Sequence, residues 1–272
     1  MRFVRFLTLA ASFALGSVAF GQGQWVTIKG QVTLAKPPAA LGAGAVINVT
    51  ADKEHCLSKG PLKSDLYDVN AKNGGLKNVI VYLRPELIPG VAPNAPQNRN
   101  IPFKPNEINP ALAGAKPVAH VIDQPCCQFV PRITLARAGD TLEIKNSAPV
   151  NHNFKYDSDN NGVNNWNTPP GQKQTFAKPL VAEPRPIAFE CNVHPWMKGQ
   201  IRIYDHPYFA LTDADGRFEI KDAPAGKYRI VYAHEGGFHK AAAGRNGEPI
   251  EIKPGADGKT MEMKPFEYEF PK

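Results

Sequence analysis

Apolar and polar positions alternate along most of this chain with a period of two. Runs of this kind span residues 26–34, 46–49, 78–83, 118–122, 129–135 and 141–144, and continue at 152–156, 173–176, 187–190 and 200–204. Alternation on that period, with β-branched and aromatic residues at the apolar positions, predicts strands whose side chains point to opposite faces. Asn73-Gly74-Gly75 and Ala138-Gly139-Asp140 mark turns between them. Past residue 204 a regular hairpin series follows, with runs at 209–212, 217–220 and 228–232 separated by Asp215-Gly216 and Pro224-Ala225-Gly226. A last pair, 249–252 and 261–268, flanks Pro254-Gly255 and Asp257-Gly258. No segment keeps a helical period beyond about three turns, so the chain reads as all-β, a sandwich or barrel. The change of pattern puts a boundary near residue 206. Between Arg84 and Pro117 eight prolines fall in 34 residues; a long irregular insertion near 85–117 is expected there.

The first 21 residues carry a different pattern. Arg2 and Arg5 precede an apolar stretch from Phe6 to Phe20, and Ala19-Phe20-Gly21 places small residues where a secretory signal peptide is cleaved. The expected mature chain begins near Gln22 and is periplasmic or secreted. No later apolar run is long enough to span a bilayer as a helix. Net charge falls from +7 to +5 once Arg2 and Arg5 are removed, and the remaining charges are spread along the chain. Nothing in that balance points to nucleic acid.

Export changes how the cysteines are read. Cys56, Cys126, Cys127 and Cys191 are too few to be the disulfide framework of a 272-residue chain, so at least one is expected to have another task. There is no Cys-x-x-Cys and no haem-attachment motif. The chemistry concentrates in Cys191-Asn192-Val193-His194-Pro195-Trp196-Met197, where a thiol, an imidazole and a thioether follow one another as Cys-x2-His-x2-Met. Soft sulfur ligands with imidazole suit copper better than hard cations. A second imidazole is offered by His152, between two expected strands.

This loop resembles the ligand loop of type 1 blue-copper cupredoxins, especially the short loop of amicyanin, and Pro149-Val150-Asn151-His152-Asn153-Phe154 resembles the segment that gives their first histidine. Gly74 to Leu83, Asp123-Gln124, Pro131 and Cys191 through Phe209 are together similar to exported bacterial plastocyanin-like proteins of the methylamine-utilization-like group. The resemblance implies a Greek-key cupredoxin β-sandwich over residues 22–205, holding one type 1 copper through His152, Cys191, His194 and Met197. It further implies that Asn153 ties its strand to the Cys191 loop, and that an amide of Asn192, Val193 or a neighbour faces the sulfur. Pro195 and Trp196 would lie beside a solvent-facing His194 edge as an apolar patch for electron entry, or Trp196 would simply pack on the adjacent loop. A disulfide joins Cys56 to Cys127 by the same resemblance, with Cys56 to Cys126 nearly as good a pairing. The related proteins carry Pro-His where this chain has Pro131-Arg132. Residues 206–272 are similar to a transthyretin-like, carboxypeptidase regulatory-like β segment, only part of which fits, so sheet sharing with N-terminal strands is expected.

Two further stretches invite metal readings. Asp157 to Gly162 matches the start of a calcium loop, but its twelfth position is Thr168 where such loops use Glu; a polar turn is the expected role. Asp213 and Asp215 are expected in turns. The functional expectation is a one-electron carrier exchanging electrons with an unidentified protein donor and acceptor, and not an enzyme. No nucleotide fingerprint, hydrolase triad or His-x-His pair for a three-copper cluster stands out. Alternatives are a structural or carbohydrate- or protein-binding sandwich, and a copper-delivery protein.

Overall fold

The computed structural model describes residues 24–34, 44–240 and 243–270. The expected leader, residues 1–21, lies outside the described residues. In chain order the elements are β1 (Trp25–Thr33), α1 (Lys53–Cys56), β2 (Ile80–Arg84), α2 (Pro110–Ala113), β3 (Ala119–Asp123), β4 (Ile133–Arg137), β5 (Thr141–Lys145) and β6 (His152–Asp157). They continue as β7 (Val163–Thr168), β8 (Lys173–Thr175), β9 (Ile187–Glu190), β10 (Lys198–Tyr204), β11 (Phe209–Leu211) and β12 (Arg217–Pro224). The last are β13 (Gly226–His234), β14 (Gly237–Phe238), β15 (Glu248–Ile252), β16 (Thr260–Glu262) and β17 (Phe266–Glu267). The described chain is nearly all β.

Two sandwiches form. The first sets the sheet β4-β10-β9-β6-β7 against the three strands β3-β5-β8. Its core is filled from both sheets by Ile122, Leu142 and Ile144 on one side and Phe154, Phe189, Ile201 and Ile203 on the other. Each of these apolar residues alternates with an exposed or half-buried neighbour, as a two-layer packing requires. The second sets β12-β1-β16, with β17 also on β1, against β11-β2-β13, with β14 and β15 on β13. Val26, Ile28 and Ile220 face Val81, Leu83 and Ile230 there.

The division at residue 206 is not the division of the sheets. β1 and β2, assigned by the sequence to the 22–205 domain, pair with β12 and with β11 and β13. The physical reason is burial: the C-terminal hairpins have apolar faces that no strand after residue 206 covers, and β1 and β2 supply the missing partners. Strand β2 is buried on both faces, which explains its unbroken apolar run. Val81 and Leu83 enter the second core, while Ile80 and Tyr82 meet Ile133, Leu135 and Tyr204 of the first sandwich. The same junction carries Arg132. Its guanidinium binds Glu235 at 2.5 Å and Asp65 at 2.7 Å.

Residues 85–117 are irregular apart from short turns and α2. Phe103, Ile108 and Leu112 fasten the segment to the second core. The Tyr208 hydroxyl, accepting from the Asn109 N–H and donating to the Glu107 carbonyl, closes it down.

Candidate metal centre

Three loops meet at one end of the first sandwich. β6 opens with His152 and Asn153, paired to Thr168 and Asn167 of β7. Asn146 shapes the turn before it, donating to the carbonyls of Val150 and Thr168 and accepting from the Ala148 N–H. The ligand-type loop leaves β9 at Cys191 and returns at β10. It is closed by backbone bonds from Met197 N–H to the His194 carbonyl and from Cys191 N–H to the Met197 carbonyl. His152 and His194 are 0% exposed, Cys191 and Met197 1%. The third loop is α1, whose Cys56 is joined to Cys127. Cys126 and Cys191 are free thiols.

The donor atoms converge. Cys191 Sγ lies 4.0 Å from His152 Nδ1 and 3.8 Å from His194 Nδ1, and the two imidazole centroids are 4.6 Å apart. Imidazole and thiolate bound to one first-row ion such as zinc, at about 2.0 and 2.3 Å, stand roughly 3.5–3.7 Å from each other at tetrahedral to trigonal angles. The observed separations exceed that range by a few tenths of an ångström, so the three donors are grouped closely enough to draw in around one ion, and they are loose for direct hydrogen bonds. His152 Nε2 is enclosed with no partner among the described residues. Burial, then the neighbouring imidazoles of His194 and His55, lowers His152 to about 4. Burial also lowers His194, against the opposing pull of Asp52. Both rings are neutral near pH 7, with lone pairs available to a metal. The donor set fits a soft or borderline transition metal. The sulfurs of Cys56 and Cys127 also lie within 4.8 Å of a His194 ring nitrogen, but they are already bonded to each other and are not donors.

Asn153 organises the loop around the sulfur. Its backbone N–H points at Cys191 Sγ from 3.5 Å. Its Oδ1 accepts from the Asn192 N–H at 2.7 Å and the Val193 N–H at 3.4 Å, and receives the Cys191 thiol at 3.3 Å. Asn165 of β7 receives its amide at 2.5 Å. The amide expected from the Val193 side of the loop thus reaches Asn153, and the amide that faces the sulfur comes from β6. The exposed polar strand β7 was not legible in the sequence, because Asn-rich edge strands show no apolar alternation.

The His194 edge does not face solvent, and that expectation is corrected. Its Nε2 lies 2.9 Å from Asp52 Oδ2, on the segment leading into α1, and Trp196 stands edge-on to it at 5.2 Å. Trp196 donates its indole N–H to the Cys127 carbonyl, 3.1 Å away. It is half-buried, while Val193 and Pro195 beside it are exposed. Asp52, Asn146 and His55 went unnoticed in the sequence. Asp52 is about 140 residues from the loop it serves, and a lone Asp before a short helix reads as an ordinary cap.

The other metal readings resolve into turns. Glu183 Oε1 accepts from the backbone of Asn160 and Asn161 and from the Asn161 side chain, and Asp159 pairs with Arg185 at 2.6 Å. The oxygen-rich loop at 157–162 is built around this carboxylate. Asp215 accepts from Asn70 and Asn73, and Asp213 from the N–H groups of Asp215 and Arg217.

No protein-family model matches the chain, and no curated protein matches it. Among solved structures, part of the chain is similar to a purple cupredoxin from Nitrosopumilus maritimus, at 19% identity and a TM-score of 0.26, covering 30% of this chain and 97% of that one. A reduced amicyanin variant overlaps at 20% identity and a TM-score of 0.28, covering 36% and 94%. A copper-containing nitrite reductase from Thermus scotoductus overlaps at 23% identity and a TM-score of 0.28, where 36% of this chain matches only 27% of that one. No helix among the described residues is long and apolar enough to cross a membrane.

Proposed function

We propose that the chain is an exported one-electron carrier with a single type 1 copper held by His152, Cys191, His194 and Met197. The observation that carries this reading is the convergence of a free buried thiol and two neutral imidazoles within 4.0 Å of the sulfur, on a loop that also contains a buried methionine. A trigonal pair of histidines and one cysteine with a weak methionine is the ligand set of electron-transfer copper, and copper so bound supplies a reversible single-electron couple.

The chain's own residues supply the rest. Asn153 holds two loop amides and the thiol at once, which fixes the loop against β6 and limits rearrangement when charge changes. All four side chains are closed off from water, leaving no open position for a substrate; this favours a carrier over an enzyme. With the His194 edge covered, Trp196 is the group that links the site to the surface, beside exposed Val193 and Pro195. Donor and acceptor are proteins that dock there.

The test is electrochemical. Copper-loaded protein is expected to cycle reversibly between its two oxidation states without releasing metal, and Trp196→Ala is expected to slow exchange with a small redox protein while leaving the spectrum intact. Irreversible reduction with surrender of copper to a chelator would replace this reading with copper delivery.

A further inference from the structure

We propose that Asp52 is a positioning residue of the metal centre: its carboxylate holds His194 as the Nε2–H tautomer, so that Nδ1 is the bare nitrogen turned toward Cys191. The proposal rests on the copper reading for its purpose, and its geometry stands without it.

Three observations support it. Asp52 occupies the N-cap position of α1, where an Asp side chain ordinarily accepts from the helix's first N–H groups, and it makes no such bond. The carboxylate goes to His194 Nε2 at 2.9 Å, while the other ring nitrogen faces the thiol at 3.8 Å. Since a carboxylate can only accept, Nε2 carries the proton, and a neutral imidazole then has Nδ1 free. A buried histidine with no such partner could take either form.

The surrounding backbone is arranged to hold this contact. Asp52 and Cys127 both adopt left-handed conformations, φ 45° and 53°, which non-glycine residues rarely take. Asp52 lies four residues before Cys56, whose disulfide to Cys127 anchors the short helix, and the Cys127 carbonyl in turn receives Trp196. The disulfide is therefore the brace that keeps Asp52 over the ring. Lys53 and Glu54 beside Asp52 are exposed, so their charges are available to water.

The experiment compares wild type, Asp52→Asn, Asp52→Ala and a Cys56→Ser/Cys127→Ser double variant. First, nitrogen-15 NMR of metal-free protein at neutral pH reads the His194 tautomer. The wild type is expected to be Nε2–H only; Asp52→Asn, whose amide oxygen still accepts, is expected to keep that form, and Asp52→Ala to show a mixture. The double variant, with its brace cut, is expected to show a mixture as well. Second, Cu(II) affinity is expected to fall roughly 10–100-fold in Asp52→Ala, the range for losing a group that orients a metal-bound histidine. Asp52→Asn is expected to keep most of the affinity but raise the reduction potential, because the negative charge is gone. A wild-type mixture of tautomers, or an Asp52→Ala variant with the wild-type tautomer, overturns the proposal. If wild type shows the single tautomer yet takes up no copper, the copper reading fails and the positioning role stands.

Discussion

The two sandwiches are built by the same alternation of apolar and polar residues, yet buried imidazoles do different work in each. In the second, His234 and His239 are 6% and 3% exposed. Each accepts a backbone N–H through Nδ1, from Gly236 and Glu269, and each leaves Nε2 enclosed. Burial lowers His234 to about 4, much like His152. They belong to no cluster of three or more metal-ligating donors among the described residues. In the first sandwich the rings of His152 and His194 turn their Nδ1 atoms to a free thiol. A depressed histidine pKa is thus a mark of burial in both places; what sets the candidate metal centre apart is the thiol at the end of β9 and the loop that brings the second imidazole back to it.

Removing single groups sharpens that contrast. Cys191→Ser is expected to abolish copper-thiolate absorption outright, while His234→Asn leaves it unchanged; absorption titration with Cu(II) checks both. Core truncation is expected to act alike in the two halves. Ile201→Ala and Ile230→Ala should each destabilise by about 2–5 kcal/mol in denaturant unfolding, because both side chains are almost fully buried. Arg132→Ala, which strips Glu235 of its partner at the junction, is expected to cost about 2 kcal/mol. Unchanged unfolding midpoints would mean that the two sandwiches are not coupled through this ion pair.

A smaller effect separates burial from function by pH. His206 sits among Tyr204, Phe103 and Tyr208 at the junction, and burial lowers it to about 3. A histidine held neutral in the fold takes no proton until far below its ordinary value near 6.5, whereas the unfolded chain protonates there. Stability from this group is therefore complete above about pH 6.5 and is lost progressively as the pH falls toward 3. His206→Asn is expected to flatten the decline in melting temperature over that window. An identical slope in wild type and variant would assign acid sensitivity elsewhere.

Much of this was legible in the sequence, and for identifiable reasons. Strands with one buried face, such as β1, β5 and β12, announce themselves by alternation. The Cys191–Met197 loop is legible because its donors are neighbours along the chain. The covered edge of His194 was not, since Asp52 and the Cys56–Cys127 brace reach it only through the tertiary fold. Strand β7 was hidden by its four exposed polar or solvent-facing positions, whereas the sheet sharing expected across residue 206 is what β1 and β2 do with β12 and β13. Residues 46–49 make one isolated bridge, Val46 to Lys63, where a strand was expected. The pairing is held by the Ile47 N–H on the Leu62 carbonyl and the Ser64 N–H on the Ala45 carbonyl.

The most direct test of the central claim is visible absorption and electron paramagnetic resonance of residues 22–272 with one equivalent of Cu(II), beside Cys191→Ser. The account predicts an intense blue thiolate-to-copper band and a narrow hyperfine splitting, both lost in the variant. A pale tetragonal spectrum unchanged by the substitution would contradict it, and would leave the loop at Cys191 as a structural turn.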